Sequence, residues 1–212
     1  MLRSVVKIFN LKIFFLINSF FWKQLLRLNG VQVGSNFYTE GYCLIKLRGI
    51  KRKSLIVIGN NVSIFGNIDI RNREFGSIFI DDNVSFDDDV RIVAARSGII
   101  RIREGCEVGK GTIINAGANV EIKKNTLIGP YCLIQASNHG YKKKGPIKGQ
   151  EYTHAPISIG EGSWLAANVV VLPGIIIEDG SVIGASAVVT RNIKGNTINA
   201  GNPSKLISDR VL

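Results

Sequence analysis

His139 lies in the segment QASNHGYKKKG, residues 135–145, directly before three consecutive lysines, Lys142 to Lys144. The one other histidine of the chain, His154, follows in the same irregular stretch. A neutral imidazole has a pKa near the working pH of most enzymes, so it can take a proton from a reacting hydroxyl. The lysines are either a solvated loop or positive charge that attracts an anionic substrate. His139 is therefore the candidate general base, with a turn-capping histidine as the alternative.

The elements that must hold His139 show a six-residue repeat of aliphatic residues, which begins at residue 58. A six-residue period fits a short strand and a turn that direct one large apolar side chain inward. Three such units close a triangular coil, and stacked coils form a solenoid that buries each coil against the next. The repeated positions are Ile58, Ile64, Ile70, Ile80, Phe86, Ile92, Ile102, Val108, Ile114, Ile122, Ile128, Ile134, Ile159, Leu165, Val171, Ile177, Ile183 and Val189.

The repeat is interrupted by extra residues. Blocks that start at residues 58, 80, 102, 122 and 159 are separated by 22, 22, 20 and 37 residues, whereas three units need 18. The excesses are therefore 4, 4, 2 and 19 residues, and the large insertion runs from Ala136 to Pro156. Long loops on rigid scaffolds tend to carry function, and both histidines lie in this one. The insertion is the predicted site of chemistry.

Two of the three cysteines are predicted to be structural. Cys106 and Cys132 fall four residues after Ile102 and Ile128, at a second inward position where small residues recur. Buried thiols are common in protein cores, so we expect no reactive cysteine here. With Cys43 the chain has three cysteines, an odd number, and none are at CxxC spacing. This indicates a reducing compartment and no disulfide framework. Cysteine and histidine do not cluster at zinc-ligand spacing.

The net charge of +11 suggests an anionic partner, and residues 1–30 contribute +5 of it without any acidic residue. The longest charge-free run in this segment is ten residues, too short to span a bilayer. We expect one or two short helices in a membrane interface, with Arg3, Lys7 and Asn10 on one face and Lys23 and Arg27 on another. A helix that packs on the domain or on a partner subunit is the alternative. No signal-peptide cleavage motif follows.

Residues 157–207 carry a resemblance to a known family. They read ISIGEGSWLAANVVVLPGIIIEDGSVIGASAVVTRNIKGNTINAGNPSKLI and resemble the end signature of the hexapeptide-repeat acyltransferases. The similarity is closest to the maltose and galactoside O-acetyltransferase branch and to related O-acetyltransferases of surface-polysaccharide synthesis. The resemblance implies an all-β solenoid, a left-handed parallel β-helix over residues 31–207, with a homotrimeric assembly. It also implies acetyl-CoA as co-substrate and no metal. Residues 1–30 and 208–212 form an N-terminal segment and a C-terminal tail.

The resemblance also assigns candidate roles within the site. His139 matches the family's catalytic base, and Glu151 stands five residues before Pro156, where a glutamate assists that base. Asn115 matches an asparagine that contacts the acceptor or the reacting carbonyl, with a turn residue as the alternative. His154 stands where the family commonly has no histidine, and we expect a local or acceptor-side contact from it. The resemblance implies that coenzyme A lies in a groove between subunits, at Trp164, Ala167, Ala185, Thr190, Arg191 and Lys205.

These observations predict an acetyl-CoA-dependent sugar O-acetyltransferase. The lysine-rich loop and the basic apolar N-terminus differ from the enzymes that act on small free sugars. They point to a surface polysaccharide (O-antigen, capsule or exopolysaccharide) or its lipid-linked precursor, acetylated at the inner face of the cytoplasmic membrane. An N-acetyltransferase of a nucleotide-linked amino sugar and a non-catalytic scaffold remain alternatives. Two histidines are too few for a γ-type carbonic anhydrase, and nucleic acid is disfavoured because the lysines lack stacking aromatics.

Overall fold

A computed structural model describes residues 2–49 and 55–210, without the side chains of residues 2–10 and of Gly49. The described chain consists of helix α1 (Leu2–Leu28) followed by short strands that wind into a solenoid with three long sheets. Each full coil contributes one strand to each sheet, and seven coils are stacked in this way. The solenoid class predicted from the six-residue period is confirmed.

Neighbouring strands within a sheet come from successive coils. Sheet one contains β1 (Gln32–Val33), β4 (Ile56–Ile58), β7 (Ser77–Ile80), β10 (Ile99–Ile102), β13 (Val120–Ile122), β18 (Ile157–Ile159) and β21 (Ile176–Ile177). Sheet two contains β2 (Tyr38–Thr39), β5 (Ser63–Phe65), β8 (Ser85–Asp87), β11 (Glu107–Val108), β14 (Leu127–Ile128), β19 (Trp164–Leu165), β22 (Val182–Ile183), β24 (Thr197–Ala200) and β25 (Lys205–Asp209). Sheet three contains β3 (Cys43–Gly49), β6 (Ile68–Glu74), β9 (Val90–Ala94), β12 (Ile113–Ala116), β15 (Leu133–Gln135), β20 (Val170–Val171) and β23 (Val188–Val189).

The core consists of three columns of aliphatic side chains, one behind each sheet. Parallel pairing sets equivalent residues side by side, so that Ile80 pairs with both Ile58 and Ile102. Every one of the eighteen repeated positions is at most 2% exposed. A side chain in such a column touches its counterparts in the coils above and below, and burial of this kind is the main force that stabilises a solenoid.

Cys106 and Cys132 belong to this core, as predicted. Cys106 and Cys132 are buried, and Cys43 is buried near the first coil. Burial raises the pKa of the Cys106 thiol to about 11 and that of Cys43 to about 12. All three thiols are therefore protonated at neutral pH and are poor nucleophiles.

The extra residues of successive coils are stacked at one corner of the solenoid. They lengthen the end of β6 and the segments that lead to β7, β10, β13 and β18. We call these segments, which join a sheet-three strand to the next sheet-one strand, the insertion corner. The 19-residue excess forms a hairpin of strands β16 (Ser137–Asn138) and β17 (Thr153–His154), which are antiparallel. The regular coils thus hold the extra residues together along one edge of the solenoid.

Helix α1 differs from the short helices predicted for this segment, because it is one continuous helix of 27 residues. It lacks proline and glycine and ends at Leu28. Gly30 follows with a left-handed backbone, which lets the Val31 N–H donate to the Leu26 carbonyl. The predicted basic face formed by Arg3, Lys7 and Asn10 lies outside the described side chains. No helix of the described residues is long and apolar enough to cross a membrane.

The second half of α1 covers the first coil. The Asn18 amide donates to the carbonyls of Thr39 and Gly41 at 3.1 and 2.8 Å, and the Ser19 hydroxyl accepts the Thr39 N–H at 2.8 Å. Leu26 is 2% exposed against the same coil. The helix therefore satisfies backbone groups at the open edge of sheet two, where unpaired N–H and C=O groups would otherwise face solvent. The second half of α1 therefore packs on the domain, which is the alternative to the membrane-interface prediction. Several apolar side chains of the helix nevertheless stay exposed.

Candidate active site

The hairpin at the insertion corner closes a loop, residues 139–152, that carries the candidate base. Ser137 pairs with His154, and Asn138 with Thr153. Continuing that register places His139 opposite Tyr152, and their rings are 4.4 Å apart between centroids. The two arms of the loop are in close contact here, so the histidine is held at the base of the hairpin rather than at a free tip.

Gln150 fastens the outer part of the loop. Its side-chain amide donates to the carbonyls of Lys143 and Pro146 at 3.0 and 3.2 Å, and its oxygen accepts the Lys143 N–H at 3.3 Å. Such side-chain bonds to backbone replace the ladder that an irregular loop lacks. The sequence reasoning missed Gln150, because nothing in the spacing marks it.

His139 and Glu151 line the same shallow cavity, with a volume of about 330 Å³. Lys142, Lys143 and Tyr152 contribute further walls. The His139 ring is exposed to solvent, and no hydrogen bond joins it to Glu151 in the described part of the chain. The arrangement brings a base, a carboxylate and two cations to one surface, which is open to a partner or a substrate.

A second cavity lies beside the first at the insertion corner, with a volume of about 430 Å³. It is lined by Arg73, Glu74, Arg91, Val93, Ala95, Arg96, Asn115, Ala116, Gly117, Ser137, Tyr152 and His154. These residues come from three successive coils and the hairpin, at the ends of the sheet-three strands and in the segments that follow them. Tyr152 lines both cavities and therefore joins them.

His154 is fixed within the second cavity. Its Nδ1 and the Ser137 hydroxyl are hydrogen-bonded at 2.8 Å, whereas its Nε2 is buried and has no partner among the described residues. Gly117 makes this position available, because a Cβ at that residue would lie 2.4 Å from both His154 Nδ1 and Ser137 Oγ. The pKa of His154 is lowered, first by burial and then by the charge of Arg96, while Glu74 acts in the opposite direction. The imidazole is therefore held in its neutral form.

Asn115 lies with His154 and not with His139. It belongs to strand β12, so the turn alternative for this residue is wrong, and its amide donates to the Gln135 side chain at 3.0 Å. The predicted catalytic residues are thus divided between two adjoining cavities: His139 and Glu151 in the first, Asn115 in the second. Ser137, Tyr152 and the arginines of the second cavity were not predicted as site residues.

The predicted coenzyme A residues occupy two corners and one sheet of the chain. Ala167 and Ala185 follow β19 and β22 in successive coils, and the Ser186 N–H donates to the Ala167 carbonyl at 2.8 Å. Thr190 and Arg191 follow β23 at the insertion corner. Trp164 in β19 is 47% exposed, and Lys205 lies in the edge strand β25. One chain therefore does not bring all six to a single groove. The described residues contain no group of three histidine, cysteine or acidic side chains placed to hold a metal ion.

Comparison with protein families matches residues 156–191 to the bacterial transferase hexapeptide family, described as six repeats. WbbJ of Escherichia coli, named as a lipopolysaccharide biosynthesis O-acetyl transferase, is 34% identical over 143 residues, which cover 64% of this chain and 73% of WbbJ. Galactoside O-acetyltransferase of Escherichia coli is 37% identical over 90 residues, 42% of this chain and 43% of that enzyme. Several other curated relatives are likewise matched over about half of their length or less.

Solved structures share the fold over nearly the whole chain. The N-acyltransferase AntD from Bacillus cereus, in complex with dTDP-4-amino-4,6-dideoxyglucose and coenzyme A, matches with a TM-score of 0.62 and 16% identity, and covers 90% of this chain and 89% of its own. The polysialic-acid-specific acetyltransferase NeuO matches with a TM-score of 0.52 and 21% identity, over 86% of this chain and 80% of its own. These matches confirm the predicted fold class. The chain is a left-handed β-helix acyltransferase of the hexapeptide-repeat family.

Proposed function

We propose that this protein transfers an acetyl group from acetyl-CoA to a sugar hydroxyl of a surface polysaccharide or of its lipid-linked precursor. The observation that carries the proposal is the hairpin-based loop that sets His139 and Glu151 together on an otherwise regular acyltransferase scaffold. The 34% identity to WbbJ, whose name refers to lipopolysaccharide biosynthesis, supports the polysaccharide class of acceptor.

In the proposed reaction, His139 accepts the proton of the acceptor hydroxyl while the hydroxyl oxygen attacks the thioester carbonyl carbon. The C–S bond then breaks, an acetyl ester is formed, and the proton passes from the imidazolium to the leaving thiolate of coenzyme A. A base in this position contributes roughly 10²- to 10⁴-fold to the rate. Glu151, in the same cavity, favours the imidazolium electrostatically, and Tyr152 restricts the ring by contact at 4.4 Å between centroids.

The donor site is proposed to need two copies of the chain. Because Ala167 and Ala185 lie at one corner and Thr190 and Arg191 at another, a groove that contains all four must be formed by two neighbouring subunits. Small side chains allow the pantetheine arm to approach backbone amides, and Arg191 and Lys205 provide positive charge for phosphates. This division of residues supports the homotrimer, with three donor sites at its subunit interfaces.

We further propose that α1 holds the enzyme at the inner face of the cytoplasmic membrane. Its exposed apolar side chains include Phe14, Ile17 and Phe20, each at least 60% exposed, and residues 1–30 carry five positive charges and no negative one. Apolar side chains and basic residues on one helix suit an anionic lipid interface. Co-sedimentation with anionic vesicles tests this: F14S/F20S should lose binding, whereas equal binding of variant and wild type would refute the membrane contact.

A transfer assay with acetyl-CoA labelled in the acetyl group tests the activity itself. The purified chain should release free coenzyme A only when a polysaccharide or lipid-linked acceptor is present, and the label should appear in the glycan. Mild alkali then distinguishes the two acetyltransferase classes, because it cleaves an O-acetyl ester and leaves an N-acetyl amide intact. Alkali-stable label would replace the proposal with N-acetylation of an amino sugar, and failure to label any glycan or amino sugar would favour the scaffold.

A further inference from the structure

We propose that the cavity around His154 binds an anionic group of the acceptor, either the carboxylate of an acidic sugar or a phosphate that links the sugar to a carrier. The inference rests on the proposed function, because it names the class of acceptor. Arg73, Arg91 and Arg96 line the cavity, and Glu74 is the single carboxylate among its lining residues, so the lining charge is 3 − 1 = +2. A volume of about 430 Å³ falls in the range of small-molecule sites.

Two buried nitrogen atoms of residues in this cavity lack a hydrogen-bond partner in the described part of the chain. The first is His154 Nε2, which is a donor in the neutral tautomer that accepts the Ser137 hydroxyl at Nδ1. The second is Arg91 Nε, which has no hydrogen-bond acceptor among the described residues and forms a long ion pair of 3.8 Å with the Asp69 carboxylate, to which Arg71 also donates. Buried polar groups in proteins are nearly always hydrogen-bonded, so two unpaired donors in one positive cavity indicate a place for a ligand oxyanion.

The backbone around the cavity gives an independent indication. Glu74 and Arg96 both adopt φ of 56°, a left-handed conformation that is unfavourable for long side chains. Such strain tends to persist where a functional group must be held in place. The remaining non-glycine residues in this conformation are nearly all short polar ones that tolerate it: Asn36, Asn61, Asn83, Asp89, Asn125, Tyr131, Asn168, Ser186 and Asn196.

The positive surface continues from the cavity along the outer side of sheet three. Arg73 also lines a small neighbouring pocket with Lys46, Arg48 and Arg71. Lys46 is paired in register with Arg71, and Arg48 with Arg73, so like charges stand opposite each other on adjacent strands. Strands about 4.8 Å apart make such pairs unfavourable in isolation, and anions between them would relieve the repulsion. An acceptor that carries more than one negative charge therefore fits this surface.

Nuclear magnetic resonance of the two imidazole rings tests the inference without any turnover. The chain has only His139 and His154, so single substitutions assign both Cε1 resonances. Three probes are titrated: trigalacturonic acid for the carboxylate, UDP-glucose for the phosphate, and maltotriose as the neutral control. A bound anion should raise the pKa of His154 and shift its resonance, with little effect of maltotriose. Response to one charged probe alone identifies the carboxylate or the phosphate as the recognised group.

Two variants in the cavity and one control variant outside it test whether the bound anion contacts the cavity arginines. Arg96→Gln should weaken binding of the effective probe by about tenfold, the worth of one charge-assisted hydrogen bond. Arg73→Gln, at an exposed position, should weaken it as well. Arg101→Gln removes the same charge from sheet one and should leave binding unchanged. If no charged probe moves His154, or if maltotriose moves it equally, the anion site is refuted even where acetyl transfer is observed. Anion binding at His154 without acetyl transfer would instead refute the proposed function.

Discussion

Replacing Gly117 with alanine should force His154 out of its position in the insertion-corner cavity. The new Cβ would lie 2.4 Å from His154 Nδ1 and Ser137 Oγ and 2.8 Å from His154 Cε1, all far below van der Waals contact. The overlap costs about 1–3 kcal/mol, and the loss of the Ser137 hydrogen bond adds roughly 1 kcal/mol. The smaller entropy of the unfolded alanine chain offsets up to about 1 kcal/mol. The net destabilisation is therefore about 2 kcal/mol, or roughly 4–8 °C in Tm for a chain of this size.

A double-mutant cycle separates this clash from other effects of the substitution. Thermal unfolding is compared for wild type, Gly117→Ala, His154→Ala and the double variant under identical conditions. If the clash with the imidazole is the cause, Gly117→Ala should cost much less in the His154→Ala background, with an interaction energy of at least about 1 kcal/mol. Additive costs would refute the assignment of Gly117 as the residue that makes room for His154.

Three further outcomes follow from single contacts. Ser19→Ala should lower stability by about 1–3 kcal/mol in urea unfolding, because a buried backbone N–H of strand β2 loses its acceptor; an unchanged midpoint would argue against the α1 anchor. Cys106 should resist iodoacetamide at about pH 8 in the folded protein, since burial raises its thiol pKa to about 11, and rapid alkylation seen by mass spectrometry would contradict this. The N–H of Asn67 and then the Lys110 ammonium lower the pKa of Asp88 from its ordinary 3.8. The stabilisation by the ionised Asp88 carboxylate is present above its ordinary pKa and is lost as pH falls through the lowered pKa. Asp88→Asn should therefore make the free energy of unfolding fall less steeply on acidification. An unchanged fall would refute the linkage.

The coils could be predicted from the sequence because their physical requirement is periodic. Each coil needs one large apolar side chain per sheet, so Ile64, Phe86 and Val108 recur at the same step and become neighbours in register. The insertion could be predicted for the complementary reason, since the 37 residues from Ile122 to the next block at Ile159 cannot fit into a coil of 18. Its location at a corner of the solenoid follows from the strand that precedes it.

The second cavity could not be read from spacing, although a signal for it exists. Glu74 ends strand β6, and Arg96 and Gly117 follow strands β9 and β12, at the places where the three coils are four, four and two residues longer than 18. Their sequence positions are about 20 residues apart, and only the stacking of coils brings them together. Once the chain leaves the strand, the period no longer determines where a side chain points. An arginine such as Arg96 then reads as an ordinary surface charge.

The prediction for α1 was wrong in its length for a related reason. Asn18 and Ser19 are a polar pair between the two halves of this apolar segment, and such a pair in an apolar helix suggests an interruption. In the structure their side chains bond to Thr39 and Gly41 at the edge of the first coil, and the helix continues through them. A polar pair that caps a sheet edge has the same sequence pattern as a helix break, so the tertiary contact decided the outcome.

The most direct test of the central claim compares wild type with His139→Ala in acetyl-CoA binding and in acetyl transfer. Calorimetric titration should give the same acetyl-CoA affinity for both proteins, because His139 acts in the chemical step and is not among the residues proposed to bind coenzyme A. Transfer to the glycan acceptor should fall by roughly 10²- to 10⁴-fold in the variant. Wild-type turnover by His139→Ala would contradict the assignment of His139 as the base. Absence of acetyl-CoA binding to both proteins would contradict the assignment of acetyl-CoA as the acetyl donor.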